Sequence, residues 1–298
     1  MANPKIQRLY EQLVSGERSG DLFKDETLAG EYDKNTSVVF GSDLKDYEEG
    51  TDFLLNLTSY SPSDTIVDMG CGTGISTLRL LQRNPRRVVG LDFSEPMLQQ
   101  AREKMKDRDN VEFRVASAEE LSDVISDADK VVSANVFQYI SDPDAVLRGI
   151  YKALNPNGKY LFNVKVKAPR EQSIYFQFFR ILEGILSKEF GKEVHLPELK
   201  GFEPKYNRAS LEELASRNGF TVARYEERPI IYKEEHLRAT YEQMLTAMAS
   251  ELQTSIGEER TTTIVGKVKE RLEPIYSANE FVAGTEAYIC LRKTPAPK

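Results

Sequence analysis

Residues 67–77, which read VDMGCGTGIST, decide the fold, because they join a hydrophobic run to a glycine-rich loop and then to a helical pattern. The glycines at alternate positions permit positive φ angles and let a ligand approach the main chain closely. A helix that begins directly after the loop offers unpaired N–H groups and the positive end of its dipole. The segment therefore predicts a strand, loop and helix that together bind a ligand with negative charge, such as a carboxylate.

The spacing of the glycines distinguishes this loop from two common nucleotide-binding motifs. The loop has the pattern G-x-G-x-G, whereas a dinucleotide-binding loop has G-x-G-x-x-G and a P-loop ends in Gly-Lys-Ser or Gly-Lys-Thr. The pattern argues against NAD and ATP as ligands. A tight turn that binds nothing is the alternative interpretation of the glycines alone.

From about Asp64 onward, hydrophobic runs of strand length alternate with helical patterns, which is typical of βαβ units and a largely parallel sheet. The predicted strands are residues 65–69, 87–92, 111–115, 130–134, 159–164, 222–232 and 286–293. The helices predicted between them are residues 75–84, residues 95–106 after a Ser94 cap, residues 142–154, and residues 210–219 with a capping box from Ser210 to Glu213. The sequence therefore predicts an α/β fold with a mostly parallel, seven-stranded sheet.

Two irregular blocks interrupt this alternation. Residues 166–208 contain a helical pattern at 172–189, and residues 234–285 contain two amphipathic helices broken near Gly257. We expect four parts: an N-terminal helical cap at 1–60, a core at 61–165, a helical insertion at 166–208, and the rest of the sheet at 209–298. Both irregular blocks are predicted to act as a lid over the core.

Composition limits the classes of function and partner. The 298 residues include 40 basic and 47 acidic side chains, and the net charge of −7 disfavours nucleic acid as a partner. The two cysteines, Cys71 and Cys290, lie far apart, which fits a reducing compartment without disulfides. No run of about 18 apolar residues could span a membrane. We expect a cytoplasmic protein, a monomer or homodimer, without a metal site.

The segment from Asp68 to Gly74 resembles the first motif of the class I S-adenosylmethionine-dependent methyltransferases, which reads acidic-x-G-x-G-x-G. The resemblance extends over about residues 64–164 and implies a Rossmann-like, doubly wound sheet. It also implies that S-adenosyl-L-methionine is the cofactor and S-adenosyl-L-homocysteine the product. By this resemblance Asp68 lies near the amino group of the methionine moiety, and the loop holds the cofactor through the backbone of Gly70, Cys71, Gly72 and Gly74.

The resemblance also assigns residues around the ribose, the adenine and the methyl group. Asp92, at the end of the second strand, matches the carboxylate that accepts hydrogen bonds from both ribose hydroxyls. The remaining implied cofactor contacts are Phe93, Met97, Ser117, Ala118, Glu119 and Asn135. Met97 has an equal alternative as a helix side chain packed on the sheet. Because Ser117 stands where the family often has aspartate, the adenine contact falls to the Ala118 backbone or to Glu119.

Candidate acceptor-binding residues come from the segments expected to surround the methyl group. Beyond the carboxyl ends of the strands, where ligands of open α/β sheets bind, we expect Tyr32, Gln138, Tyr139, Tyr175, Phe176 and Phe179. Packing against the core is the alternative for Tyr32 and for the aromatic stripe. Because alignment of the reactants can account for catalysis, a general base is optional. The candidates for such a base are Tyr32, Tyr139 and His195.

These features together predict methyl transfer to a small-molecule acceptor by in-line displacement. Two sizeable helical blocks suit an enclosed pocket for a compound of metabolite size, and the acidic surface disfavours RNA. Two alternatives remain open at this stage. One is an RNA or protein methyltransferase whose helical blocks bind a macromolecule, and the other is a catalytically silent module that binds the cofactor and a partner.

Overall fold

A computed structural model describes Lys24 and residues 26–34, 44–167, 174–194, 204–276 and 281–294. Its strands are β1 (Thr65–Met69), β2 (Arg87–Asp92), β3 (Val111–Val115), β4 (Ala128–Ser133), β5 (Leu154–Val166), β6 (Phe220–Tyr232) and β7 (Phe281–Lys293). Its α-helices are α1 (Glu26–Glu31), α2 (Leu44–Leu55), α3 (Ile75–Leu81), α4 (Glu95–Lys104), α5 (Leu121–Val124), α6 (Pro143–Ala153), α7 (Ile174–Phe190), α8 (Arg208–Arg217), α9 (Glu234–Ile256) and α10 (Glu258–Tyr276). Short 3-10 turns lie at Tyr32–Lys34, Ala118–Glu120 and Phe137–Tyr139.

The seven strands form one sheet in the order β3-β2-β1-β4-β5-β7-β6, in which β7 runs antiparallel to both of its neighbours. The predicted α/β fold with a mostly parallel, doubly wound sheet is thus confirmed. The strand order reverses between β1 and β4, and such a reversal leaves a crevice beyond the carboxyl ends of the strands. The glycine loop follows β1 and therefore lies at this crevice.

Several boundaries differ from the sequence prediction for local reasons. The predicted capping box at Ser210 and Glu213 is wrong, because Asn207 caps α8 and exchanges hydrogen bonds with Ser210. The N-cap of the helix therefore lies three residues earlier than the capping pattern at Ser210 indicates. Strand β5 begins at Leu154, not at residue 159, because the Leu154 backbone already pairs with Ala128 of β4. Asn155 to Gly158 thus belong to the start of the strand.

The sheet is covered on both faces, as its central parallel strands require. All five residues of β1 are buried. On one face, α2 contributes Leu54 and Leu55 to a cluster that includes Leu161 of β5. On the other face, Leu147 and Ile150 of α6 pack on Phe162 and its neighbours. These two layers hold the carboxyl ends of β1, β2 and β4 in place.

The two irregular blocks of the sequence form one structure. Helices α7, α9 and α10, here called the helical module, share a core of Ile174, Phe178, Leu182, Leu186, Tyr232, Leu237, Tyr241, Met244, Leu245, Ile264, Val268, Leu272 and Tyr276. Pairing of β5 with β7 stops at Val166 and Thr285, whereas β6 and β7 remain paired as far as Tyr232 and Phe281. This extended hairpin carries the module beyond the carboxyl end of β5. Although α9 is 23 residues long, neither it nor another helix of the described ranges could cross a membrane.

Candidate functional site

Main-chain hydrogen bonds hold the glycine loop against the end of β2. The N–H groups of Gly70 and Cys71 both donate to the carbonyl oxygen of Leu91, at 2.7 and 3.0 Å. The Gly74 N–H then donates to the Cys71 carbonyl at 2.9 Å, which closes the turn into α3. Glycines 70, 72 and 74 have φ angles of 73°, 53° and 86°. The loop therefore needs a left-handed conformation at each glycine.

The three glycines differ in what surrounds their missing side chains. A Cβ atom at Gly70 would lie 2.5 Å from Val136, and one at Gly74 would collide with Met105. A Cβ atom at Gly72 would have no neighbour within 4 Å among the described residues. Two of the glycines thus serve close packing of the protein itself. Only at Gly72 does the loop present open backbone to a ligand.

Cys71 lies beneath the loop as a packed side chain. It is buried, and its Sγ atom lies 3.0 Å from the position that a Cβ at Gly90 would take. Burial raises the pKa of its thiol well above the ordinary value. A protonated, enclosed thiol is a poor nucleophile, so only the backbone of Cys71 can serve a ligand.

Asp68 brings a buried carboxylate to the loop with half of its hydrogen-bonding capacity unused. Its Oδ2 accepts hydrogen bonds from Ser76 Oγ at 2.7 Å and from Thr77 Oγ1 at 2.6 Å. Its Oδ1 is buried without a hydrogen-bond partner in the described part of the chain. Burial raises the pKa of Asp68 to about 6, the two hydroxyls oppose that rise, and the nearby Asp92 adds to it. This oxygen is suited to accept a hydrogen bond from a cationic ligand group.

Asp92 connects the end of β2 to the glycine loop. Its Oδ2 accepts from the Gly72 N–H and its Oδ1 from the Ser94 N–H, each at 2.9 Å. Burial raises the pKa of Asp92, and these backbone donors oppose the rise. Because each carboxylate oxygen has two lone pairs, both can accept one further hydrogen bond. The carboxylate is thereby oriented for a ligand with two adjacent hydroxyls.

The residues predicted at the adenine differ in their availability. The side chain of Phe93 is 36% exposed, whereas that of Met97 is 2% exposed, which favours the packing alternative for Met97. Ser117 already exchanges hydrogen bonds with Glu120 through a capping box around the 3-10 turn Ala118–Glu120. Its N–H and hydroxyl groups are therefore already engaged in hydrogen bonds within the protein. Ala118 is half-buried and Glu119 is exposed, so the two remaining adenine candidates stay accessible.

Three tyrosines lie near one another close to the two carboxylates. Tyr32 is buried within electrostatic range of Tyr47, Tyr139 and Asp92, and burial is the main cause that raises its pKa. Tyr47, on α2, lies within the same range of Asp68 and Tyr139 and is hydrogen-bonded to Asn135. The structure thus places Tyr32 near Tyr139, and their contact with an acceptor stays a prediction. It adds Tyr47, which sequence analysis missed because no motif surrounds it in its acidic helical stretch.

Asn135 is in contact with this group of tyrosines through Tyr47. It follows β4 with a φ of 59°, a left-handed conformation uncommon for residues other than glycine. Gln138 donates from Nε2 to the Asn135 carbonyl oxygen at 2.7 Å. Asn163 of β5 also binds Asn135 and is 3% exposed. A polar residue inside the hydrophobic run of β5 was a signal that sequence analysis could have used.

The segment around Tyr32 is attached directly to the glycine loop. Asp33 accepts a hydrogen bond from Thr73 Oγ1 at 2.5 Å and forms an ion pair with Lys104. Lys104 also donates to the Thr73 carbonyl oxygen at 2.9 Å. The three residues come from the N-terminal segment, the loop and α4. Sequence analysis missed Asp33 and Lys104, because their contact spans 71 residues of chain.

The remaining predicted residues lie on or near α7. Phe179 packs against the core of the helical module and lies edge-on to Phe178, with ring centroids 5.6 Å apart. Phe176 is half-buried, with the Arg180 guanidinium 5.8 Å from its ring centroid. Tyr175 belongs to α7, but its side chain lies outside the described set, as does all of His195. Contact between these residues and the loop remains a prediction.

Comparison with known proteins identifies relatives of this chain. Residues 66–158 match a family described as methyltransferase domain. Demethylmenaquinone methyltransferase of Thermus thermophilus is 32% identical over 209 residues, which cover 67% of this chain and 91% of the relative.

Solved structures share the fold at low sequence identity. The YcgJ protein of Bacillus subtilis has a TM-score of 0.53 at 13% identity, covering 83% of this chain and 99% of its own. Mycolic acid cyclopropane synthase CmaA1 has a TM-score of 0.51 at 19% identity, and the match covers 85% of this chain and 91% of the synthase.

The contrast between Gly70 and Gly72 predicts different effects of the same substitution. Gly70→Ala and Gly72→Ala both place alanine at positive φ, which costs about 1–2 kcal/mol each. Gly70→Ala also forces a methyl group against Val136, and such overpacking costs about 1–3 kcal/mol more. Urea unfolding of both variants measures the difference. Equal losses of stability would contradict the assignment of Gly72 to open space.

The half-satisfied carboxylate predicts that Asp68→Asn stabilises the ligand-free protein near neutral pH. The folded pKa of about 6 exceeds the ordinary value of 3.8, so the stability contributed by protonated Asp68 is lost as pH rises through 6. Asparagine avoids this loss and can still accept from Ser76 and Thr77. We expect a gain of up to about 3 kcal/mol at pH 8 that shrinks towards pH 4.

Denaturant unfolding of the Asp68→Asn variant across this pH range provides the test. Asp109→Asn, at an exposed position, is the control for loss of a negative charge. A destabilised Asp68→Asn protein at pH 8 would show that ionised Asp68 is well solvated.

Proposed function

Since the chain belongs to the class I S-adenosylmethionine-dependent methyltransferases, we propose that Asp68, Asp92 and the open backbone at Gly72 hold its S-adenosylmethionine. The observation that carries this assignment is the buried Asp68 Oδ1, which has no partner among the described residues. An ammonium group would supply the missing hydrogen bond together with a compensating charge. The donor set therefore fits the methionine end of the cofactor.

Asp92 suits the ribose because the protein has already oriented it. The Gly72 and Ser94 N–H groups occupy one lone pair on each carboxylate oxygen, so the remaining lone pairs can accept from two neighbouring hydroxyls. Phe93 adds an exposed aromatic face on the next residue for the adenine. The loop backbone at Gly72 can approach the ligand because no side chain intervenes.

The chemistry that the bound cofactor supplies is an activated methyl group on a sulfonium. The protein's contribution is therefore to align an acceptor with this methyl group and to exclude water from it. Tyr32 lies within electrostatic range of Asp92, Tyr47 lies within that range of Asp68, and Tyr139 lies near both tyrosines. Burial raises the pKa values of Tyr32 and Tyr47, so their hydroxyls stay protonated at neutral pH.

We further propose that the acceptor is a small molecule enclosed between these tyrosines and the helical module. The extended β6–β7 hairpin carries the module past the carboxyl end of β5, on the side where ligands of such sheets bind. The relative from Thermus thermophilus carries a demethylmenaquinone methyltransferase name, which supports a compound with an aromatic ring. Phe176 of α7 is assigned to the wall of this pocket.

Cofactor binding is expected to separate the roles of the two aspartates. Asp92→Ala should weaken S-adenosylmethionine, S-adenosylhomocysteine and adenosine alike, by about ten- to a hundredfold, because all three carry the ribose. Asp68→Asn should weaken the first two and leave adenosine within about twofold, because adenosine lacks the amino group. Titration calorimetry measures the affinity of each of the two variants for each of the three ligands, and thermal melts confirm that both variants fold. Loss of adenosine binding in Asp68→Asn would refute the assignment of Asp68.

Methyl transfer is expected to phenols or hydroquinones offered with S-adenosylmethionine labelled in its methyl group. Phe176→Ala should raise KM for the acceptor without changing cofactor affinity, because it removes a wall of the acceptor pocket only. Phe178→Ala is the matched comparison, since Phe178 lies in the core of the module and its loss should cost about 3–5 kcal/mol of stability. An unchanged acceptor KM in Phe176→Ala would remove that residue from the pocket.

A further inference from the structure

The main chain turns directly after β4, at Asn135. The φ angle of 59° lies in the left-handed region, which residues other than glycine seldom occupy. Side chains from two other segments stabilise this conformation. Asn163 Oδ1 accepts from the Asn135 N–H at 2.8 Å, and Asn163 Nδ2 donates to Asn135 Oδ1 at 2.7 Å. Gln138 Nε2 donates to the Asn135 carbonyl oxygen at 2.7 Å. Asn163 therefore binds both the main chain and the side chain of Asn135.

Glu286 of β7 fixes the direction in which the Asn163 amide faces. The Asn135 N–H can only donate, so it requires the amide oxygen of Asn163. The amide NH₂ group then faces Glu286, and Asn163 Nδ2 donates to Glu286 Oε1 at 3.0 Å. Tyr288 donates to the other carboxylate oxygen, Oε2, at 2.6 Å. An ionised carboxylate can only accept, so Glu286 and Asn135 select the same orientation of this buried amide.

The segment that begins at Asn135 connects the cofactor loop to the residues predicted to bind the acceptor. Val136 lies so close to the glycine loop that a Cβ atom at Gly70 would be 2.5 Å from it. The 3-10 turn Phe137–Tyr139 follows at once and contains two of the predicted acceptor-binding residues. The backbone conformation at Asn135 therefore determines how this turn is placed relative to the loop.

We propose that Asn163 and Glu286 are positioning residues for methyl transfer, which hold Asn135 in its left-handed conformation and so align the acceptor with the methyl group. The inference rests on the proposed function and adds two residues that act through a third. Small displacements of aligned reactants lower a reaction rate strongly, so the pair bears on kcat. The glycine loop is anchored separately, to Leu91 and Asp92 of β2, so cofactor binding does not depend on the pair.

An exchange of the two functional groups tests the pair. Asn163→Asp alone sets two carboxylates against each other, so kcat with labelled S-adenosylmethionine and 1,4-dihydroxynaphthalene at pH 8 should fall by about ten- to a hundredfold. Adding Glu286→Gln supplies an NH₂ group that donates to the new carboxylate, so the exchanged variant should return to within about threefold of the wild type. If Asn163→Asp does not fold, the exchanged variant decides alone. A folded exchanged variant without activity would overturn the proposal.

Two controls separate positioning of the acceptor from general support of the fold. S-adenosylmethionine affinity, measured by titration calorimetry, should stay within about twofold in every variant. A loss of affinity in Asn163→Asp that parallels the loss of kcat would overturn the proposal, because the loop would then depend on the pair. Glu226→Gln removes a negative charge from the exposed edge strand opposite Tyr288 and should leave kcat unchanged. A loss of kcat there equal to that of Asn163→Asp would show a response to charge alone and also overturn it.

A spectroscopic measurement follows the turn without any acceptor. With 3-fluorotyrosine in place of Tyr139, the fluorine resonance should shift in Asn163→Asp, return in the exchanged variant and stay in place in Glu226→Gln. An unshifted resonance in Asn163→Asp would refute the role of the pair. If the wild-type chain failed to bind S-adenosylmethionine, the proposed function would fail, whereas the fluorine shifts would still show whether the pair sets the turn.

Discussion

The hydrogen bond from the Gly72 N–H to the Asp92 carboxylate is the interaction on which the site depends. It joins the loop after β1 to the end of β2. The two groups can meet because these neighbouring parallel strands end at the same edge of the sheet. The Leu91 carbonyl reinforces it by accepting from Gly70 and Cys71. Asp68 and Asp92 are thereby held as neighbours, and the Asp33–Lys104 contact adds the N-terminal segment to the same loop.

The sequence was most informative where local pattern and tertiary structure agree. The core strands were predicted from their hydrophobic pattern. The glycine loop was predicted together with Asp68 and Asp92 because its glycines and both carboxylates lie within about 30 residues of one another. The cap of α8 was mistaken because two overlapping polar tetrads compete, and only the geometry selects Asn207. Tyr47, Asp33 and Asn163 were missed because their roles arise from contacts with distant segments.

The helical module also depends on contacts between distant segments that the sequence alone could not predict. Its helices come from two blocks separated by the α8–β6 unit, and each block alone predicts only an amphipathic insertion. Their apolar faces meet because the long β6–β7 hairpin brings both blocks to one end of the sheet. Phe178 shows how such packing redirects an aromatic stripe, since it enters the core of the module while Phe176, two residues earlier, remains half-buried.

The proximity of two buried carboxylates bears on how the enzyme would release its product. Asp68 and Asp92 lie close enough that Asp92 raises the pKa of Asp68. Such a pair attracts a ligand in proportion to its positive charge, and the attraction is strong where water is excluded. S-adenosylmethionine carries a charge on sulfur that S-adenosylhomocysteine lacks. Methyl transfer would therefore switch off part of the attraction that recruited the cofactor, and the same two side chains would favour both capture of the substrate form and departure of the spent one.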